Sequence, residues 1–121
     1  MTPGLRPEWG GRGNILVTHP LSETVPCVLS RSITIPSEGE PTLVLDTAHD
    51  PRGDWTLVVK ADGEELLKQE VSEATADPVW RAIRVDLSPL ADKTVKIEIE
   101  NRASNWKYEA AFWSKIAIEN K

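Results

Sequence analysis

The chain has 121 residues, of which 40% are hydrophobic and 27% are charged, and its formal net charge is −5. This length and composition suit one folded globular domain with a single core. An acidic chain whose Arg and Lys residues are scattered offers no basic face to a phosphate backbone, so we expect no nucleic-acid partner.

Cysteine content and hydropathy narrow the possibilities further. Cys27 is the one cysteine, which excludes an intramolecular disulfide and a cysteine-based zinc site. No apolar run approaches the ~18 residues that a membrane span requires, and the first residues lack the pattern of a signal peptide. We therefore expect no membrane span, and the residues themselves leave the compartment open.

Residues 1–14 are rich in Gly and Pro, and Trp9 is their one large apolar side chain. Gly adopts backbone angles that other residues avoid and Pro interrupts hydrogen-bonded ladders, so this segment is expected to be a loop, an arm or a linker. Residues 15–121 are then the single folded domain. Within it, the short apolar run at residues 15–17 is expected to form a first edge strand.

Most of the remaining chain alternates between apolar and polar residues with a period of two, the pattern of half-buried strands. Asp62-Gly63 is a two-residue hairpin signal, so the segment after it should return antiparallel to the one before. About eight short strands and little or no helix predict an all-β fold, an antiparallel β-sandwich. The strands after the first are expected at residues 29–35, 42–47, 55–61, 66–71, 81–87, 95–99 and 109–118.

The last of these strands has an irregular pattern. Phe112, Ile116 and Ile118 share one phase and are expected to close the sandwich, whereas Trp113 is out of phase with them. Trp113 therefore needs either cover from another segment, such as the arm that carries Trp9, or a local bulge in the strand. Our interpretation is that Trp113 anchors the arm or a neighbouring domain.

Three stretches resemble galactose-binding-like jelly-roll domains. Residues 55–66 look like the hairpin of that family, with Asp-Gly between two strands, and residues 85–95 look like its Asp-Leu-Ser-Pro-Leu-Ala-Gly-Lys corner. Residues 109–113 are similar to the Asp-x-Ala-x-Trp signature of the related NPCBM-type carbohydrate-binding modules. The sequence departs from these patterns at Glu109, where Asp is usual, and at Asp92, where Gly is usual.

The resemblance implies a jelly-roll fold and a non-catalytic, carbohydrate-binding accessory module of a larger secreted bacterial protein. It also implies an extracellular or periplasmic location and contact with neighbouring domains of the parent chain. A structural Ca²⁺, which many jelly-roll modules carry, is a further expectation. The alternative is a structural or docking domain without its own ligand, which would expose an apolar patch around Trp9, Trp80 or Trp113.

The loop before the last strand is the best candidate for glycan binding. Indole and phenol rings stack on the C–H faces of sugars, and loops on a rigid scaffold concentrate binding residues. Trp106 is the first choice for a stacking platform, although it would instead cap the core if the loop were only solvated. The expected ligand contacts, which include a residue of the 49–54 loop, are Trp106, Tyr108, Arg52, Arg102, Asn105 and Lys107.

A cluster of carboxylates would form if the 49–54 loop met the last strand. Asp50, Asp54 and Glu109 would supply the hard oxygen ligands that Ca²⁺ prefers. Sequence alone does not bring these residues together. Residues 52–54 also read Arg-Gly-Asp, the integrin tripeptide, but a turn with a capping Asp explains this stretch more simply.

Catalysis is not indicated. The two histidines, His19 and His49, lack metal-ligand spacing, and no nucleophile accompanied by a base is apparent. A glycosidase needs two facing carboxylates, but Glu98 and Glu100 lie on the polar side of their strand and are expected to point into water. The chain is therefore interpreted as a binding module and not an enzyme.

Overall fold

The structure, a computed structural model, describes residues 3–72, 80–104 and 108–120. These ranges contain nine strands and one short 3₁₀ turn at Ser88–Leu90. The strands are β1 (Gly4–Trp9), β2 (Arg12–Thr18), β3 (Cys27–Thr34), β4 (Pro41–His49), β5 (Trp55–Ala61), β6 (Glu64–Val71), β7 (Arg81–Asp86), β8 (Thr94–Arg102) and β9 (Ala111–Asn120).

The strands form two antiparallel sheets, which confirms the predicted β-sandwich. One sheet has five strands in the order β1-β2-β9-β4-β7, and the other has four in the order β3-β8-β5-β6. The predicted hairpin is present, because β5 pairs antiparallel with β6 on either side of Asp62-Gly63. Both turn residues have positive φ, as this tight turn requires. The period-two pattern therefore identified most of the strands correctly.

The main core lies between the sheets. Trp55 is fully buried and packs against Trp113, with ring centroids 5.2 Å apart. Its indole N–H donates to the backbone carbonyl of Ala48 at 3.1 Å, so the buried polar atom is satisfied. Aliphatic residues of both sheets complete this core: Leu43, Leu45, Leu57, Val59, Ile83, Val85, Val95, Ile97 and Ile99.

A β-bulge in β9 explains the irregular phase of the last strand. Asp46 pairs with Lys115 and Thr47 pairs with Trp113, so Ser114 is an extra residue in β9. The extra residue allows Trp113 and Ile118 both to face the main core. Ile116 has the same phase as Ile118 but is 42% exposed. The sequence offered two explanations for the phase of Trp113, cover from another segment or a local bulge. The structure has the local bulge.

Phe112 holds the N-terminal arm, a role that the sequence suggested for Trp113. It faces the outer side of the five-stranded sheet, where Trp9 stacks on it with ring centroids 3.6 Å apart. The expectation that Trp113 anchors the arm is therefore wrong, because the bulge turns Trp113 inward and leaves Phe112 to hold the arm. Trp80 packs edge-on against Trp9, and its N–H donates to the Gly10 carbonyl at 2.9 Å.

The expected loop over residues 1–14 is also wrong in part. Gly4–Trp9 pairs with Arg12–Thr18 as a hairpin, and this hairpin joins β9 through β2. Pro7 is tolerated because β1 is at the edge of the sheet, where a missing N–H breaks no ladder on its outer side. Consequently β2 is an inner strand of the sheet and not the edge strand that the sequence suggested.

No helix in the described ranges is long and apolar enough to span a membrane.

Candidate functional site

Two connections meet at one end of the sandwich. The chain leaves β4 at His49, which pairs with Ala111 at the start of β9. It leaves β8 at Arg102, which pairs with Thr56 at the start of β5. Antiparallel pairing therefore brings the β4–β5 loop and the β8–β9 loop to the same end, as the predicted site requires.

Asp50 and Arg52 form a rigid pair in the β4–β5 loop. The Arg52 Nε and Nη2 groups donate to the two oxygens of Asp50 at 2.9 and 2.8 Å, and the Arg52 backbone N–H donates to Oδ1 at 2.9 Å. The Asp50 side chain is buried, whereas that of Arg52 is exposed. The hydrogen bonds from Arg52 lower the pKa of Asp50 in spite of its burial. The guanidinium is thus held at the surface by a buried carboxylate.

Tyr108, from the other loop, lies against this guanidinium. The Arg52 Cζ is 4.2 Å from the centroid of the Tyr108 ring, within the range of a cation–π interaction. Tyr108 is 44% exposed and has a φ of 54°. A non-glycine residue in this left-handed region is uncommon and often has a functional role. The two loops therefore present a fixed aromatic–cationic pair to solvent.

The base of the β4–β5 loop is held by backbone contacts. The Nδ1 atom of the buried His49 is 2.7 Å from the Asp50 carbonyl and 2.9 Å from the Gly53 carbonyl. Both neighbours are acceptors, so Nδ1 carries the proton and donates. The Gly53 N–H donates to the Asp50 carbonyl at 2.9 Å. Further along the loop, burial raises the pKa of Asp54, and the nearby Glu70 adds to this effect.

A chain of buried polar groups fixes the base of the β8–β9 loop. Trp113 donates its indole N–H to the Thr18 hydroxyl at 2.9 Å, and that hydroxyl donates to the Asn101 side-chain oxygen at 3.0 Å. The Asn101 amide donates in turn to the Glu109 carbonyl at 3.2 Å. The buried Glu109 carboxylate accepts from the Ser104 backbone N–H at 3.3 Å. These bonds connect the core to the loop that carries Tyr108.

A second polar cluster lies on the outer face of the four-stranded sheet. Glu100 is 5% exposed and lies between Lys60, at 3.0 Å, and Arg102, at 2.6 Å. Burial acts to raise the pKa of Glu100, but the hydrogen bonds from the two cations outweigh it and the pKa is lowered. The expectation that Glu100 points into water is wrong, because Lys60 and Arg102 flank it. Beside this cluster the hydroxyls of Thr56 and Ser104 are 2.7 Å apart.

The predicted ligand contacts fall into three groups. Arg52 and Tyr108 are brought together. Arg102 lies at the start of the same loop but is engaged with Glu100 on the sheet face. Trp106, Asn105 and Lys107 lie outside the described residues.

Sequence reasoning missed the part that Lys60 plays beside Arg102. The one signal in the sequence was indirect, since Lys60 is the one charged residue of β5. The pairing of β5 with β8 is needed to bring it to Glu100, because the two residues are distant in sequence.

The expected calcium ligands do not form a common set. Both oxygens of Asp50 accept from Arg52, and Glu109 is buried at the base of the other loop. In the ranges that the structure describes, no group of three or more His, Cys, Asp or Glu residues could hold a metal ion. Calcium binding stays a prediction.

No protein-family model matches the chain, and no curated protein sequence matches it.

Proposed function

We propose that this domain is a non-catalytic carbohydrate-binding module whose site is the end of the sandwich that carries Arg52 and Tyr108. One observation carries the proposal. A half-exposed aromatic ring, on a loop anchored to the core, lies beside an arginine that a buried carboxylate holds in place. We call Arg52 and Tyr108 the binding pair.

The chemistry of the binding pair suits a sugar. A tyrosine ring offers an apolar face to the C–H groups of a pyranose, and its hydroxyl can hydrogen-bond. Asp50 takes the Nε–H and one Nη2–H of Arg52, and a guanidinium carries five N–H donors. The remaining donors can bond sugar hydroxyls or, more strongly, the carboxylate or sulfate of an acidic glycan.

Preorganisation supports binding at this end of the molecule. Ordering a long side chain on association costs about 0.5–1.5 kcal/mol, and Asp50 has already ordered Arg52 in the free protein. The hydrogen bonds from Asn101 and Ser104 to Glu109 restrain the residue next to Tyr108 in the same way. Trp106, Asn105, Lys107 and Arg102 are further contacts in this proposal, with Trp106 as the main stacking platform.

The wider context of the proposal comes from the family resemblance. It is that of an accessory module in a larger secreted bacterial protein, located outside the cytoplasm and packed beside neighbouring domains. A structural Ca²⁺ would be an additional feature, and sugar binding by the binding pair does not depend on it.

Affinity electrophoresis against a panel of neutral and acidic polysaccharides tests the proposal. We expect retardation by at least one glycan, and we expect Tyr108→Ala and Trp106→Ala each to weaken it about tenfold or more. Arg52→Lys keeps the charge but loses the bidentate bond to Asp50, so it should weaken binding less than Tyr108→Ala.

Leu5→Ala is the matched control, since Leu5 is an exposed apolar residue on β1. It should leave retardation unchanged. Absence of retardation by every glycan, or equal retardation of Tyr108→Ala and the wild type, contradicts the proposed site.

The second candidate is a structural or docking domain without its own ligand. This function predicts an exposed apolar patch around Trp9, Trp80 or Trp113. Much of that patch is covered, because Trp113 is 2% exposed and Trp9 stacks on Phe112. The observation in its favour is a different surface, an open apolar groove beside β9 that Ile116 and Ile118 line.

A further inference from the structure

The second half of β9 has a free edge. On one side β9 pairs with β4 over its whole length, from Ala111 to Asn120. On the other side its pairing with β2 ends at Trp113, opposite Leu16. In the described part of the chain no strand pairs with residues 114–120 on that side. This side of β9 is therefore a position at which another strand can pair.

The start of β2 turns away from this edge. Ile15 packs in the outer aromatic cluster with Phe112, and Arg12 donates to the Ser114 hydroxyl at 2.9 Å. Both contacts draw β2 over the outer face of the five-stranded sheet. The bulge at Ser114 lies where the two strands separate. The free edge is thus a consequence of how the hairpin covers Phe112.

An apolar groove of about 290 Å³ lies beside the free edge, between the two sheets. Ile116, which borders it, is 42% exposed. A free strand edge next to exposed apolar side chains is the usual setting for the addition of a strand from another chain. The aliphatic residues that line the groove include Leu16, Leu29, Ile33, Ile97, Ile116 and Ile118.

The other strand beside the groove is less suited to pairing. β3 is an edge strand of the four-stranded sheet, and its Arg31 pairs with the inward-facing Ile97 and lines the groove. An inward-pointing charge on an edge strand discourages the addition of a further strand. In β9 the groove side carries Ile116 and Ile118 instead. Of the two edges, β9 is therefore the one open to a partner.

The free edge is complementary to itself. Residues 114–120 read Ser-Lys-Ile-Ala-Ile-Glu-Asn. If two copies pair antiparallel with Ala117 opposite Ala117, then Lys115 lies opposite Glu119 and Ile116 lies opposite Ile118. Opposite charges and apolar residues that face each other across strands both stabilise a sheet. An antiparallel pair of identical strands also has the two-fold symmetry of most protein dimers.

We propose that a second copy of this chain occupies the free edge, so that two five-stranded sheets join through β9 into one continuous sheet. In the monomer Lys115 donates to Glu119 of its own strand, and Arg84 lies 3.8 Å from the same carboxylate. On association each lysine exchanges its own glutamate for the directly opposite one of the partner. The shared segment is short, so a dissociation constant in the micromolar range is expected.

Sedimentation velocity over a range of protein concentrations tests the dimer with charge-swap variants. Lys115→Glu places two pairs of like charges across the interface, and Glu119→Lys does the same with the opposite sign. Each should weaken association about tenfold or more. The double variant Lys115→Glu/Glu119→Lys restores both opposite-charge pairs and should return association to within about threefold of the wild type.

Lys96→Glu, an equal change of charge on the other sheet, is the matched control and should associate as the wild type does. Near-UV circular dichroism verifies the fold of each variant. A wild type that stays monomeric up to millimolar concentration overturns the proposal and leaves the edge to a different chain or to another segment of this one. A double variant that associates no better than the single variants also overturns it.

A cross-link examines the register independently of charge. In a Cys27→Ser background, Ala117→Cys places two thiols opposite each other at the two-fold axis and should yield a disulfide-linked dimer on mild oxidation. Ser32→Cys, at an exposed position of β3 that does not line the groove, should remain monomeric in the same background. Equal cross-linking of the two variants, or none with Ala117→Cys, contradicts the register.

Discussion

Phe112 and Trp113 are neighbours in sequence, yet they belong to two different aromatic clusters. Trp113 packs with Trp55 between the sheets, where side chains from both sheets surround it. Phe112 lies on the outer face of the five-stranded sheet and is covered by Trp9 from the hairpin of β1 and β2. The inner cluster holds the sandwich together, whereas the outer one attaches a hairpin to it.

This difference has a consequence for function. Trp113 reaches the β8–β9 loop through Thr18 and Asn101, so the inner cluster supports the proposed binding pair. The outer cluster draws the start of β2 across the sheet, so that among the described residues the second half of β9 pairs with β4 on one side and with no strand on the other. The bulge at Ser114 therefore affects both regions. It turns Trp113 toward the support of the candidate glycan site, and it lies where the proposed dimer edge begins.

The largest effect is expected from removing the inner ring. Trp113→Ala leaves a cavity against Trp55 and removes the donor to the Thr18 hydroxyl, so it should lower the free energy of unfolding by about 3–5 kcal/mol. Urea denaturation followed by circular dichroism measures this change. A loss below about 1 kcal/mol would mean that the inner cluster does not dominate stability.

A smaller effect is expected from removing the outer ring. Trp9 is half-buried, so Trp9→Ala should cost about 1–2 kcal/mol and should increase hydrogen exchange in β1 and the start of β2 more than elsewhere. A double-mutant cycle of Trp9→Ala with Phe112→Leu should give a coupling of about 0.5–1.5 kcal/mol. Leu5→Ala, on the same strand and 76% exposed, should change stability by less than about 0.5 kcal/mol. An equal effect of the Leu5 change would contradict a specific role for the stacked ring.

The smallest effect is expected from the ion pairs of Glu100, which lie on the other sheet, away from both aromatic clusters. The folded-state pKa of Glu100 is below the ordinary value of 4.5. Its ionised form therefore stabilises the fold above pH 4.5, and this contribution is lost as the pH falls through the lower folded-state pKa. Glu100→Gln should be less stable than the wild type at pH 7, and the difference should shrink in acid. Urea denaturation at several pH values measures it, and a difference independent of pH would contradict the assignment.

Local pattern was sufficient for several elements. Residues 55–61 and their hairpin were predictable because alternation and an Asp-Gly turn depend on neighbours in sequence. The burial of Trp55 followed from its phase with Leu57 and Val59. At the candidate site, the sequence identified Arg52 and Tyr108 as separate candidates from their loops. Their contact depends on the pairing of His49 with Ala111, which no local pattern shows.

The sequence by itself determined that this chain folds as an antiparallel β-sandwich, because a period of two over many short segments allows each strand one buried face. Only the tertiary structure decided which face some residues take. The irregular phase of the last strand left a bulge and cover by another segment as alternatives, and the bulge at Ser114 is what reverses the sides of Trp113 and Phe112. Glu100 sits in a polar row, yet it is buried because Lys60 arrives from another strand. Both outcomes depend on which strands pair, and strand pairing joins residues that are distant in sequence.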